Sequence, residues 1–277
     1  IVELLDFPSL MALRASSRAC MTLVHQILLR FFRQLLLPAA PNIEMFLYTM
    51  DDLRAYLGGY TALRFFTRIH QPRPHAIQIF VPLPGFTSLL LHLQNVQHAT
   101  LIESTTFATE RRGISGTARL RNPSCDILVF CSAGASALLP LVQAPSTALM
   151  CYVGTSHFGV LWPSLTFASR SLLTEISPGL ARHTSVLKAN GFDMKLYAWM
   201  WPSVSPPQVC ARGSFLCPAQ PRYLTDRGAL HAAWEPTIDG DISDRICFRL
   251  DSRPCGGPCL RPHAHLPSKW ERTAIFE

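Results

Sequence analysis

The chain has 277 residues, 48% of them hydrophobic, which is enough apolar material to bury a core in one large domain or two smaller ones. Its net charge of +7 comes almost wholly from arginine, with Lys188, Lys195 and Lys269 as the only lysines; the positive residues are scattered, which argues against a basic nucleic-acid groove. Nine cysteines, an odd number, read as the reduced thiols of an intracellular protein, cytoplasmic or nuclear.

The chain opens at Ile1 rather than Met, so a preceding segment is compatible with it. Arg14, Arg18, Arg30 and Arg33 interrupt the early apolar residues, unlike the h-region of a signal peptide. From Leu10 to Leu37 apolar residues recur with a helical period, which predicts two helices or one bent one, with Ser9 as N-cap and Pro38 and Pro41 as the stop. The opening Ile-Val-Glu-Leu-Leu-Asp-Phe-Pro-Ser-Leu-Met-Ala-Leu, followed by Arg14 and Ser16-Ser17-Arg18, resembles the F-box. That resemblance implies a ridge of Leu4, Leu5, Phe7, Leu10 and Leu13 docking on the adaptor subunit of a cullin-type ubiquitin ligase. The competing reading is that these residues are the domain's own helical core.

Asn42 to Leu53 predicts a second amphipathic helix capped by Asn42. It leads into Tyr-Leu-Gly-Gly-Tyr-Thr-Ala-Leu at 56 to 63, where Gly58-Gly59 precedes a helical stretch from Tyr60 to Phe66. A glycine pair at a helix start allows backbone to approach a phosphate, although it also serves as an ordinary turn. An apolar strand follows at Ile77 to Val81, and a second at Cys125 to Phe130.

The order of glycine pair, helix, strand and later strand resembles the nucleotidyltransferase superfamily. There the first strand carries Asp-x-Asp and a neighbouring strand a third acid, and the three carboxylates hold two Mg²⁺ ions against the triphosphate. In this chain the Asp-x-Asp positions align with Ala76 and Gln78, and only Asp126 survives. One carboxylate beside a neutral amide cannot neutralise two divalent cations, so phosphoryl transfer, a metal and a cofactor are not expected. The vestigial site is Gly58, Gly59, Thr61, Ala76, Gln78 and Asp126.

Further landmarks are a helix at Pro84 to Val96, a hairpin from Gly116 to Phe130, and blocks at 137 to 140, 146 to 150 and 162 to 166. With the F-box-like start they resemble a fungal family in which an F-box-like segment precedes a nucleotidyltransferase-like region. The uncharged interval from Asp126 to Arg170 is broken by Pro140, Pro145 and Pro163, which reads as a soluble core and not a membrane span.

Past Ser177 the pattern turns irregular, with prolines and two cysteine groups. Cys210 with Cys217, and Cys255, Cys259, His263 and His265, contain zinc-ligand residue types without zinc-ligand spacing. His231, Asp239, Asp241 and Asp244 are residue types for a catalytic or metal cluster, but Gly240 between two of the acids reads more simply as a turn.

The expected architecture is α/β or α+β: an F-box-like helical segment at 1–41, a nucleotidyltransferase-like domain at 42–177 and an irregular region at 178–277. The expected function is a non-catalytic interaction protein, a ubiquitin-ligase adaptor with a pseudo-nucleotidyltransferase recognition domain. The alternatives are a nucleotide binder that uses Gly58, Gly59, Thr61 and Arg64 without the usual metals, and a plain structural domain.

Overall fold

A computed structural model describes residues 2–68, 76–174, 180–203, 215–218, 220–234, 246–250 and 275–276. The protein is α/β, and its chain divides into two compact units. The first comprises Ile1–Pro140, Cys151–Phe158 and Ala232–Gly240; the second comprises Leu141–Met150, Gly159–His231 and Asp241–Glu277. The first unit therefore joins the N-terminal helices with the glycine pair and both central strands, across the expected boundary at 41.

Helices α1 (Phe7–Ser16) and α2 (Arg18–Leu36) are separated by Ser17, whose hydroxyl accepts the Cys20 amide hydrogen at 3.1 Å and caps α2. Asp6, not Ser9, caps α1. Its carboxylate accepts the Ser9 amide hydrogen at 2.9 Å, and Pro8 occupies the first turn, where a missing N–H costs nothing. Helix α3 (Ile43–Asp52) starts at Asn42 as predicted, with Asn42 Oδ1 accepting from the Met45 amide at 3.4 Å.

There follow β1 (Tyr56–Gly58), α4 (Gly59–Thr67), β2 (Ala76–Val81), α5 (Phe86–Asn95), β3 (Thr100–Arg111), β4 (Ile114–Arg121), β5 (Asp126–Ser132), α6 (Leu139–Val142), β6 (Cys151–Val153) and β7 (His157–Val160). The later elements are α7 (Pro163–Thr166), β8 (Arg170–Leu172), α8 (Leu180–Ala189), β9 (Asp193–Lys195), β10 (Arg222–Tyr223), β11 (Leu230–Ala233), β12 (Ile246–Phe248) and β13 (Ile275–Phe276). The region expected to be irregular thus contains regular structure. Among the described residues, β8 pairs in parallel with β9, and β12 lies between β10 and β13.

A mixed eight-stranded sheet has the order β11-β7-β6-β1-β2-β5-β4-β3. Its centre is the parallel pair β2 and β5, in register from Ala76↔Asp126 to Val81↔Cys131, with β1 and β4 antiparallel on either side. Period-2 alternation decides the faces. Ile77, Ile79, Val81, Ile127, Val129 and Cys131 are buried on one face, while Ala76, Gln78, Asp126 and Leu128 line a half-buried opposite face.

The helical side of this unit closes over an aromatic cluster. Phe7 of α1 meets Phe66, Phe65 and Phe158 edge-on at 4.8, 5.7 and 5.9 Å between centroids, and Trp234 lies 4.7 Å from Phe158. Phe7 and Leu10 are consequently core residues, each contributing roughly 1.5–3 kcal/mol by burial. The expected ridge divides: Leu4 is 87% exposed, and Leu5 and Leu13 are half-buried. No helix among the described residues is long and apolar enough to cross a membrane.

Candidate functional site: the glycine pair and the central strands

The glycine pair lies at the junction of β1 and α4. Gly58 is extended and occupies the N-cap position without a side chain to cap; Gly59 has φ +56°, a left-handed conformation that a residue with Cβ adopts only at a cost. The β1–β2 ladder pairs Tyr56 with Phe80 and Leu57 with Ile79. One position further on, the Gln78 amide hydrogen is donated to Thr61 Oγ1 at 2.9 Å, so a helix hydroxyl takes over from the strand.

The Gln78 side chain then reaches over the start of α4. Its Oε1 accepts the Tyr60 amide hydrogen at 2.8 Å and supplies the cap that Gly58 lacks. A Cβ on Gly59 would collide with that oxygen. The left-handed backbone is what favours glycine here, and any side chain would in addition displace the end of Gln78.

Asp126 stands at the start of β5, directly beside Ala76. Its carboxylate accepts four hydrogen bonds: from Arg119 Nε at 3.0 Å and from Arg119 Nη2, and from Arg121 Nε at 2.6 Å and Nη2 at 3.3 Å. Three of these bonds converge on Oδ2 and one on Oδ1, so two guanidinium groups already balance the charge of this carboxylate. Hydrogen bonds from Arg121 and then Arg119 hold Asp126 down to about 2. The hairpin dictates this arrangement: Arg121 pairs directly with Asp126, and Arg119, two residues earlier on β4, extends from the same face. Asn122 closes the turn, its Oδ1 accepting the Ser124 and Cys125 amides at 2.9 Å each. Burial, with Asp126 alongside, pushes the Cys125 thiol up to about 11, which favours its protonated form.

The fold thus brings Gly58, Gly59, Thr61 and Gln78 into one contact group, with Ala76 and Asp126 two residues along the strands. Arg64 lies on α4, and burial lowers the pKa of its guanidinium. Sequence reading missed Arg119, Arg121 and the Tyr60 amide. Two arginines at i and i+2, followed by a short turn and an acid, could have identified the arginines as the partners of Asp126.

Among the described residues no group of three or more His, Cys, Asp or Glu is placed to hold a metal ion. Cys217 is buried and His231 half-buried; Cys210, Cys255, Cys259, His263, His265, Asp239, Asp241 and Asp244 lie outside the described residues. No protein-family model matches the chain, and no curated protein matches it.

Proposed function

We propose that this chain is a non-catalytic protein-interaction protein whose central sheet is a pseudo-nucleotidyltransferase domain. The observation carrying the reading is that both halves of the vestigial site are filled from within. Gln78 caps the helix start that would face a triphosphate, and Arg119 and Arg121 engage the one remaining acid. Two-metal phosphoryl transfer needs open carboxylates and free amide donors, and the pairing of Asp126 with two arginines and of the Tyr60 amide with Gln78 supports the non-catalytic reading. Function is argued from the site and not from the fold, which hosts many activities.

The interaction partner we propose is the adaptor subunit of a cullin-type ubiquitin ligase. The exposed Leu4, with half-buried Leu5 and Leu13, supplies the apolar docking surface, while Phe7 and Leu10 hold that surface to the domain. The test is binding of the purified chain to purified adaptor, with Leu4→Arg as the variant, because charge at an exposed position removes apolar docking without disturbing the core. The expected result is micromolar or tighter binding by the wild type and a loss of about tenfold or more in the variant. No binding by the wild type would overturn the adaptor reading.

A further inference from the structure

A second polar network in the first unit lies between α3 and α5. Gln97, 1% exposed, brackets the backbone of Asn42: its Oε1 accepts the Asn42 amide hydrogen at 2.9 Å, and its Nε2 donates to the Asn42 carbonyl at 3.0 Å. That carbonyl also accepts the Phe46 amide hydrogen at 3.1 Å, the first turn of α3. Gln97 Nε2 is also 3.0 Å from His92 Nε2, and His92 Nδ1 is 2.9 Å from Thr49 Oγ1.

The hydrogens of this network can be assigned in only one way. Thr49 Oγ1 donates its single hydrogen to the Met45 carbonyl at 2.9 Å, so it must accept from His92 Nδ1–H. His92 Nε2 is then the bare nitrogen, and it accepts the second hydrogen of the Gln97 amide. Every member is satisfied only while His92 is neutral.

Protonating His92 places an N–H against the Gln97 NH₂ group, donor against donor. Turning the Gln97 amide over would give the imidazolium an acceptor, but it would set Oε1 against the Asn42 carbonyl and Nε2 against the Asn42 amide. Keeping the amide as it stands sets this repulsion against the bracket on Asn42, and turning it over breaks the bracket outright.

We infer that His92, Gln97 and Asn42 form an acid-sensitive latch that holds the start of α3 to α5 at neutral pH and releases it when the imidazole is protonated. The groups facing the ring are Thr49, Phe46 (centroids 6.0 Å apart) and Gln97, all uncharged. The acids of α3 point elsewhere: Glu44 pairs with Arg33 at 2.9 Å, Asp51 accepts from Thr155 Oγ1 at 2.5 Å, and Asp52 is exposed. The turn Leu83–Gly85 packed on α5 has no titratable group, and His98 follows the latch. Burial with no compensating carboxylate favours the neutral ring, which lowers the pKa of His92 below the usual histidine value. An open hollow of about 480 Å³, lined by Pro41, Asn42, Ile43, Glu44, Val96 and His98, brings solvent to the Asn42 side of the latch.

The test is an NMR titration of His92 in the full chain, together with amide-exchange protection of Asn42 corrected for the intrinsic rate at each pH. The latch predicts that His92 titrates below 6.5, as the Nδ1–H tautomer, and that Asn42 protection falls about tenfold or more as the ring is protonated. In Gln97→Glu a carboxylate replaces the NH₂ donor, so the imidazolium gains a partner; His92 should then titrate about one unit or more higher than in the wild type. A wild-type His92 that titrates at or above 6.5, Asn42 protection that ignores its titration, or an unshifted Gln97→Glu variant would each overturn the latch.

Discussion

The Gln78 side-chain oxygen accepts the Tyr60 amide hydrogen at 2.8 Å, so a strand residue caps a helix whose own N-cap, Gly58, has no side chain to do so. Gln78→Ala should destabilise the first unit by about 1 kcal/mol, the usual effect of removing an N-cap acceptor, whereas Gln78→Glu keeps an acceptor at the helix N-terminus and costs less. Urea unfolding of the two variants measures the difference.

Gly59→Val should cost more than either, about 3 kcal/mol or beyond, because a β-branched residue at φ +56° is strained and its Cβ would also displace Gln78. In a Gly59→Ala, Gln78→Ala double mutant the collision is gone but the backbone strain remains. The double-mutant cycle should therefore show coupling between the two sites.

Asp126 gives a pH signature with a definite sign. Its pKa is lowered from an ordinary 3.8 to about 2 by Arg121 and Arg119, so its contribution to stability is complete above 3.8 and is lost as the pH falls through about 2. Asp126→Asn should unfold at lower urea than the wild type at neutral pH, and the gap should close across that window. A gap that stays constant down to pH 2 would show that the arginines contribute packing and not charge pairing.

Buried hydroxyls in the second unit should respond differently to removal. Ser171 Oγ accepts the Ala148 amide hydrogen at 3.1 Å, so Ser171→Ala should cost about 1–2 kcal/mol. Ser146 Oγ and Thr166 Oγ1 are buried with no hydrogen-bond partner among the described residues, so Ser146→Ala and Thr166→Val should be neutral or slightly stabilising. Thermal unfolding of the three variants compares them.

The N-terminal segment offers a comparison of two leucines. Leu10 is fully buried and Leu4 is 87% exposed. Leu10→Ala should cost about 2–5 kcal/mol, while Leu4→Ala should stay within about 0.5 kcal/mol. Denaturant midpoints check both values.

How much was legible follows from how local each signal is. The helix after Gly58-Gly59, the Asn42 cap and the hairpin from Gly116 to Phe130 are encoded in neighbouring residues, and the strands expected at 77–81 and 125–130 appear at 76–81 and 126–132. Strand β3, Thr-Leu-Ile-Glu-Ser-Thr-Thr-Phe-Ala-Thr-Glu-Arg, lacks the alternation of a half-buried strand because it is a sheet edge with nearly every residue exposed. The division of the N-terminal ridge was not legible because helical spacing reveals an apolar face without revealing what covers it; Phe158, which meets Phe7, and Trp234, which packs on Phe158, come from far along the chain. That positions 76 and 78 carry no acid could be read directly, but the positive role of Gln78 depends on a tertiary contact.

The most direct test of the central claim is calorimetric titration of the purified chain with nucleoside triphosphates, with and without Mg²⁺. With the α4 start capped by Gln78 and Asp126 engaged by two arginines, the expected result is no saturable binding at millimolar ligand, weaker than about −4 kcal/mol. Saturable binding that requires Mg²⁺ would contradict the account, because it would require the carboxylate to leave its arginines and the glutamine to leave the helix.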